Sequence, residues 1–366
     1  MAANGTLIHG IFLPVRMIAY GYRFLIFEGE SEIGKRRVAM KFTRGRYMAR
    51  REYAMYTYLN AIETDVEKYG IPNIYYFNKY DDKDLVRYRL LVLSLFECDL
   101  KKKSKKIQPI DSLILFRDFV RQSKYLHSRK VRHDDVKPEN IMFRKHRSFL
   151  IDFNGSSKMN KQSESGTFDF LPRSVHLHHK RTALDDWESF LYAMSEVNMI
   201  KLQWFPTHDF SYEMAENLKM NSMETMERII NANITCKHLK EVFRKFALEV
   251  FNVSRSPPDY DAFDAFIMEK IEIVENKEKM KPALFTWLSE DERDQAIQNL
   301  EKHQLVEAIK IKFEEPFEYP DVEYDYFDIQ KEEMANKVEP SRENYQKKKI
   351  EMAKKKRYSF VFRCFK

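Results

Sequence analysis

The chain has 366 residues, 43% of them hydrophobic, which is enough for one large domain or two modest ones with a substantial core and excludes disorder throughout. Lysine and arginine exceed aspartate and glutamate by 63 − 56 = +7, but the excess is regional: residues 345–366 alone hold nine basic side chains and one acidic one. Three cysteines far apart, Cys98, Cys236 and Cys364, exclude a disulfide framework and a CxxC metal spacing, and predict a reducing compartment.

No apolar run approaches the ~20 residues needed to cross a bilayer. The first residues, MAANGTLIHGIFLPVRM, lack a basic region and a small-residue cleavage site after a long apolar stretch, so no secretory signal is expected. Cys364, third from the end, offers no prenylation box. The expected location is cytoplasm or nucleus.

From about residue 11 to 96, short β-rich runs alternate with turns: RFLIFEG, RRVAMKF, NIYYFNKY and YRLLVLSLF. One helix interrupts them over residues 47–62, where Met48, Glu52, Tyr56 and Leu59 share a face. KKKSKK, residues 101–106, reads as a solvated charge cluster after the last strand. Between 111 and 275 the period becomes helical, in DSLILFRDFVRQSKYLHS, LDDWESFLYAMSEV, MAENLKMNSMETMERII and CKHLKEVFRKFALEVF. A small sheet-rich lobe thus precedes a larger helical one. After about residue 276 an S-x-x-E capping box at Ser289 and Glu292 predicts a helix to about Lys312. The acidic aromatic stretch EEPFEYPDVEYDYFD and the lysine-rich end follow.

Chemistry concentrates in VRHDDVKPEN (131–140) and LIDFNG (150–155). A site that moves a phosphoryl group needs a carboxylate to orient the acceptor hydroxyl. It also needs another carboxylate and an amide oxygen for magnesium, and cations for the phosphates. His133, Asp135, Lys137 and Asn140 fit H-x-D-x-K-x-x-N, and Asp152-Phe153 follows the apolar run Phe149-Leu150-Ile151. Upstream, VAMK ends a strand at Lys41, eleven residues before Glu52 on the first helix. A lone Asp-Phe or Val-Ala-Met-Lys is common in any large protein, and a lone histidine is more often core than catalyst. Four such elements in order, each in its expected strand, helix or loop, predict a kinase fold.

The sequence resembles the casein kinase 1 group of protein kinases, near tau-tubulin kinases and nematode-type relatives. The most specific stretch is GTFDFLPRSVHLHHKRTALDDWESFLYAMSEV (166–197), supported by GIPNIYYF (70–77) and PPDYDAF (257–263). The resemblance implies an α+β, bilobal protein kinase fold with a small β-rich N-lobe and a larger helical C-lobe. Its expected organisation is a segment 1–12, a kinase domain 13–275 (N-lobe about 13–96, C-lobe about 97–275) and a helical, charged C-terminal extension 276–366. It further implies a serine/threonine kinase that uses ATP and Mg2+ on protein substrates. Lys41 would contact the α and β phosphates, positioned by Glu52. Asp135 would be the catalytic base and Lys137 would neutralise the transferred phosphoryl group, while Asn140 and Asp152 would hold magnesium. Gly21 belongs to the phosphate loop. Leu93, Leu95 and Phe96 belong to the lobe connection that binds adenine, and Ala39 and Met142 would sandwich the ring. Asp186 would anchor the catalytic loop from below.

Departures from the pattern motivate an alternative, a weak or inactive pseudokinase acting as a scaffold. The loop expected as G-x-G-x-x-G has Ala19, Gly21 and Phe24 at the glycine positions, which predicts weak nucleotide affinity. Asp134 replaces the arginine before the catalytic aspartate, which suggests activity without activation-loop phosphorylation and a raised pKa at Asp135. Asn154 replaces the glycine after Asp152-Phe153, a change that asparagine's tolerance of left-handed backbone makes mild. Ala183-Leu184 stands where the group carries Arg-Arg, so Arg173, Lys180 and Arg181 are the candidates for a substitute anion site. The basic end predicts an anionic partner, whether nucleic acid, membrane or acidic protein. The acidic stretch is a candidate inhibitor of a basic groove.

Overall fold

The computed structural model describes residues 7–282, except 22, 33–34, 45, 60, 62–64, 81–87, 104–106, 145–146, 160, 201, 203–218, 220–221 and 252–255. The expected helix at 289–312, the acidic stretch and the basic end lie outside the described residues.

Five antiparallel strands form the first lobe: β1 (Phe12–Tyr20), β2 (Phe24–Ser31), β3 (Arg36–Arg44), β4 (Ile74–Tyr80) and β5 (Tyr88–Ser94), in the order β1-β2-β3-β5-β4. The period-two alternation of β3 and β5 divides their side chains between two faces. Val38, Met40, Phe42, Leu90 and Val92 point to the outer face, where Ile8, Ile11 and Phe12 cover them. Leu91 and Leu93 point the other way and pack with Tyr53, Tyr56 and Leu59 from helix α1 (Arg46–Tyr58) and its end. That helix is shorter than its apolar period predicts. Leu59 and Ala61 remain buried after the helix closes, so the hydrophobic pattern runs on through a turn.

The lobe connection leads to β6 (Cys98–Asp99) and a short helix α2 (Leu100–Lys103) carrying the first part of the lysine cluster. Helix α3 (Pro109–Ser128) opens with proline at its first position and a reciprocal cap between Gln108 and Asp111, both favourable at an N-terminus. Helices α4 (Arg173–His176), α5 (Ala183–Val197), α6 (Ser222–Asn233), α7 (Lys237–Val250) and α8 (Tyr260–Asn276) follow. Their core is aromatic: Phe119 stacks on Phe190 at 3.8 Å and Trp187 on Phe246 at 4.5 Å.

Four further short strands frame the site. β7 (Val131–Arg132) pairs with β10 (Ser157–Lys158), and β8 (Ile141–Arg144) lies between β6 and β9 (Arg147–Leu150). The catalytic loop is therefore the link from β7 to β8, and the Asp152 loop follows β9. At the back, the turn before β4 is tied to the second lobe at three points. Leu150 N donates to Gly70 O at 2.9 Å, Arg147 to Lys68 O at 2.8 Å, and Arg144 pairs with the buried Glu67. Gly70 has φ 74°, a left-handed conformation that suits glycine, and an added Cβ would meet the Gln122 side chain at 2.6 Å.

Candidate active site

Lys41 sits on the inner face of β3, where register sets it opposite Ile26 on β2 and Leu91 on β5. From there its amine reaches Glu52 of α1 at 2.7 Å and Asp152 at 2.9 Å. Burial opposes the Lys41 charge, but the charges of Asp152 and Glu52 outweigh it and hold the amine above its usual range. Burial pushes Glu52 up to about 7, against the pull of Lys41. Asp152 is lowered despite burial, because Lys41, Lys137 and His133 are near. Two carboxylates against one ammonium leave an acidic balance that a divalent cation would offset.

The catalytic loop is hung from α5. Asp186, in the first turn of that helix, accepts from His133 N at 2.7 Å and Asp134 N at 2.9 Å, one oxygen each. Both Asp134 (φ 62°) and Asp152 (φ 66°) adopt left-handed backbone, which aspartate tolerates better than most residues. His133 closes the opposite side by bonding Ile151 O at 2.9 Å and packing its ring on buried Phe153.

Within that frame Asp135 is ringed by donors. Lys137 Nζ lies 2.9 Å from its Oδ2, Asn140 Nδ2 donates to Oδ2 at 3.2 Å, and Thr167 Oγ1 donates to Oδ1 at 2.8 Å. Lys137 also donates to Thr167 at 2.8 Å. Asn140 spends its amide nitrogen on Asp135, its backbone carbonyl included, so Oδ1 is the atom it has to offer a metal. A carboxylate at Asp152 and an amide oxygen at Asn140 suit magnesium, which takes oxygen ligands and leaves the remaining positions to phosphate and water.

The adenine candidates line the lobe connection. Ala39 faces Leu93 across the β3–β5 ladder, Leu95 and Phe96 follow the end of β5, and Glu97 N binds Phe143 O at 2.7 Å. Met142 stands opposite Asp99 and Phe149 on β8. In the phosphate loop, Gly21 N donates to Phe24 O at 2.9 Å. The Phe24 ring lies so close that a Cβ on Gly21 would be 2.6 Å from it, and its centroid is 5.8 Å from the Lys41 amine.

A family described as "Protein kinase domain" matches residues 31–255. The chain belongs to the protein kinase family. The matched kinase region begins past Phe24, so the degenerate phosphate loop lies outside it. The kinase is 28% identical over 155 residues to the fowlpox virus (strain NVSL) protein "Probable serine/threonine-protein kinase FPV226", covering 38% of this chain and 53% of that one. A "Probable casein kinase I homolog" of Encephalitozoon cuniculi (strain GB-M1) is 23% identical over 164 residues, covering 40% and 51%. The chain thus spans about half the length of these curated relatives. The solved "Structure of vaccinia related kinase 3" superposes with a TM-score of 0.59 at 14% identity, over 76% of this kinase and 92% of that chain, a likeness of fold.

Two sequence expectations need correction. Asn154 does not use left-handed backbone; Asp152 does, and Asn154 donates its side-chain amide to Asp152 Oδ1 at 3.1 Å. Arg173 and Arg181 do not form an exposed anion site: Arg173 pairs with Glu188 and bonds Val250 O, Arg181 is buried, and of the three Lys180 alone is exposed. Asp134 directs its carboxylate to Arg132 and Arg181. Sequence reading also missed Thr167 and Ile26. Thr167 lies within the quoted GTFDF run, and Ile26 is the residue two beyond the last glycine position, a place that pattern knowledge assigns to a β-branched aliphatic side chain.

Proposed function

We propose that this chain is a serine/threonine protein kinase of casein kinase 1 type, with its catalytic unit in residues 13–275 and its adenine site formed by Ala39, Leu93, Leu95, Phe96 and Met142. The observation that carries the reading is the joint assembly of two sets: Lys41 with Glu52 and Asp152, and Asp135 with Lys137, Asn140 and Thr167. Asp135 takes the proton of a protein serine or threonine hydroxyl. That oxygen bonds the γ-phosphorus of ATP, the bond from phosphorus to the β–γ bridging oxygen breaks, and ADP leaves. Lys137 offsets charge on the transferred group and Lys41 holds the α and β phosphates, the positioning and charge stabilisation on which such transfers depend. Asn140 and Asp152 would hold magnesium, which would supply positive charge against the charge that develops on the phosphates.

Ala183 and Leu184 are both buried at the start of α5, so those positions offer no cations for a pre-phosphorylated substrate. Cytoplasmic or nuclear location and an anionic partner for the basic end belong to the same proposal. The test is Mg-ATP-dependent transfer of labelled phosphate to a general protein substrate, lost in Asp135→Asn.

A second reading, a weak kinase or scaffold, is favoured by the Phe24 ring beside the Lys41 amine. It expects no transfer above the Asp135→Asn background and no rise in melting temperature with Mg-ATP.

A further inference from the structure

The segment from Gly155 to Thr182 carries Thr167, whose hydroxyl ties it to Asp135 and Lys137. A buried charge cluster holds this segment to the catalytic loop. Arg132 Nε and Arg181 Nε lie 3.0 and 3.2 Å from Asp134 Oδ1, and all three side chains have 0% exposure. The Ser157 hydroxyl donates to the other Asp134 oxygen.

Arg132 spends its remaining donors on the segment itself, and Arg181 spends one of its own there. Arg132 bonds Ser157 Oγ at 2.8 Å and the carbonyls of Met159 (2.8 Å), Lys161 (2.9 Å) and Arg181 (3.2 Å). Arg181 bonds the carbonyl of Ser165 at 2.8 Å, two residues before Thr167. Between them Gly166 (φ 134°) lets the chain pass so close to the catalytic loop that an added Cβ would be 2.9 Å from Asp134 O.

The signs in this cluster are reversed from those of a switchable kinase. Where the catalytic loop reads H-R-D, phosphorylation of the activation segment adds the anion, and arginine–phosphate pairs order the segment. Here the anion is the carboxylate of Asp134, on the loop itself, and the cations come from β7 and from the far end of the segment. The carboxylate needs no modification to acquire its charge. Burying a charged group alone would be costly, but every member of this cluster has an opposite charge or a carbonyl against it.

Resting on the kinase reading above, we infer that the Arg132–Asp134–Arg181 cluster is a built-in replacement for an activation-segment phosphate. Arg181 is then a positioning residue: it sets Ser165 and hence Thr167, and through Thr167 it aims Asp135 at the acceptor hydroxyl. Its loss should reduce turnover while sparing the ATP site, whose residues lie on other elements.

The experiment uses the full chain, dephosphorylated and verified as such by mass, as wild type, Arg181→Met, Arg181→Lys and Ser157→Ala. Hydrogen exchange of peptides covering 156–167 is read beside kcat and the KM for ATP. Phosphatase treatment should leave wild-type kcat unchanged. Arg181→Met should lower kcat by about 100-fold, the cost of a displacement of about 1 Å at the chemistry, with KM for ATP within about twofold. Exchange over 156–167 should rise while exchange in α3 stays as it was, and Arg181→Lys should recover part of both losses. Wild-type kcat and exchange in Arg181→Met, or loss of wild-type activity on dephosphorylation, would overturn the inference. If wild type itself transfers no phosphate, the kinase reading fails, and exchange alone decides whether the cluster holds the segment. If Arg181→Met does not fold, Arg181→Lys and Ser157→Ala carry the same readouts, and unchanged exchange in both rejects the inference.

Discussion

Lys41 and Asp152, 111 positions apart in the chain, meet at 2.9 Å, and Glu52 completes the contact from the other side. The ammonium is the common partner of two carboxylates drawn from a helix and a loop. Lys41→Met should therefore lower phosphoryl transfer by about 100- to 1,000-fold, the usual loss when one preorganised charge is removed from a transition state. Glu52, already raised to about 7, should move further up once its cation is gone. Steady-state assays and infrared titration of the carboxyl stretch check the two outcomes.

Phe24 stands where a backbone without side chain would let phosphates approach. Phe24→Gly should tighten Mg-ATP binding by about tenfold, or about 1.4 kcal/mol, as read by calorimetry. Gly21→Ala should be harmful with Phe24 present, because its Cβ would be 2.6 Å from the ring, and tolerated in the Phe24→Gly background. Equal effects of Gly21→Ala in both backgrounds would show that the ring is not the obstacle.

Asp186 links acid stability to the catalytic loop. Burial would raise its carboxyl, but hydrogen bonding and charge from His127, with the charges of His133 and Arg181, hold it far below the usual carboxylate range. A depressed folded value means that the unfolded chain takes up the proton first. The stabilisation is thus complete above about pH 4 and is lost as pH falls towards the folded value. Asp186→Asn should cost about 3–5 kcal/mol at neutral pH, and its gap from wild type should narrow below pH 4 in urea unfolding.

Arg144 meets Glu67, whose side chain is 1% exposed, and lays its guanidinium against Phe96 (5.5 Å) and Phe149 (5.1 Å). Arg144→Met should destabilise by about 3 kcal/mol because it strands a buried carboxylate. Adding Glu67→Gln should restore a large part of that loss, a coupling that chemical denaturation of the two single variants and the double variant measures directly.

The parts of the site that were legible in advance are those encoded by local spacing. His133, Asp135, Lys137 and Asn140 sit on one loop, so a short motif sets their relative positions, and Lys41 and Glu52 follow from a strand and a helix read by period. The partners of Asp134 were not legible, since Arg181 comes from the far end of another segment and nothing in its local pattern distinguishes a buried cation from a solvated one. Asn154 failed for a related reason: the motif marks an unusual backbone in the Asp152 loop, but which residue takes it depends on what Phe153 packs against. The overlong expectation for α1 arose because Leu59 and Ala61 keep an apolar rhythm past Tyr58, through a turn in which Leu59 N still bonds Met55 O and Ala61 N bonds Tyr56 O.

The ties of Gly70, Lys68 and Glu67 to Leu150, Arg147 and Arg144 have a mechanical consequence. With the rear edge of the small lobe fastened to its neighbour, the kinase function proposed above predicts that admission and release of a nucleotide come from a swing of the front edge about that line. Displacement should then grow with distance from Gly70 and be largest at the tip joining β1 and β2. Spin labels placed at that tip and on α3 would register a wide range of separations, whereas a pair spanning Lys68 and Arg147 would register a single one.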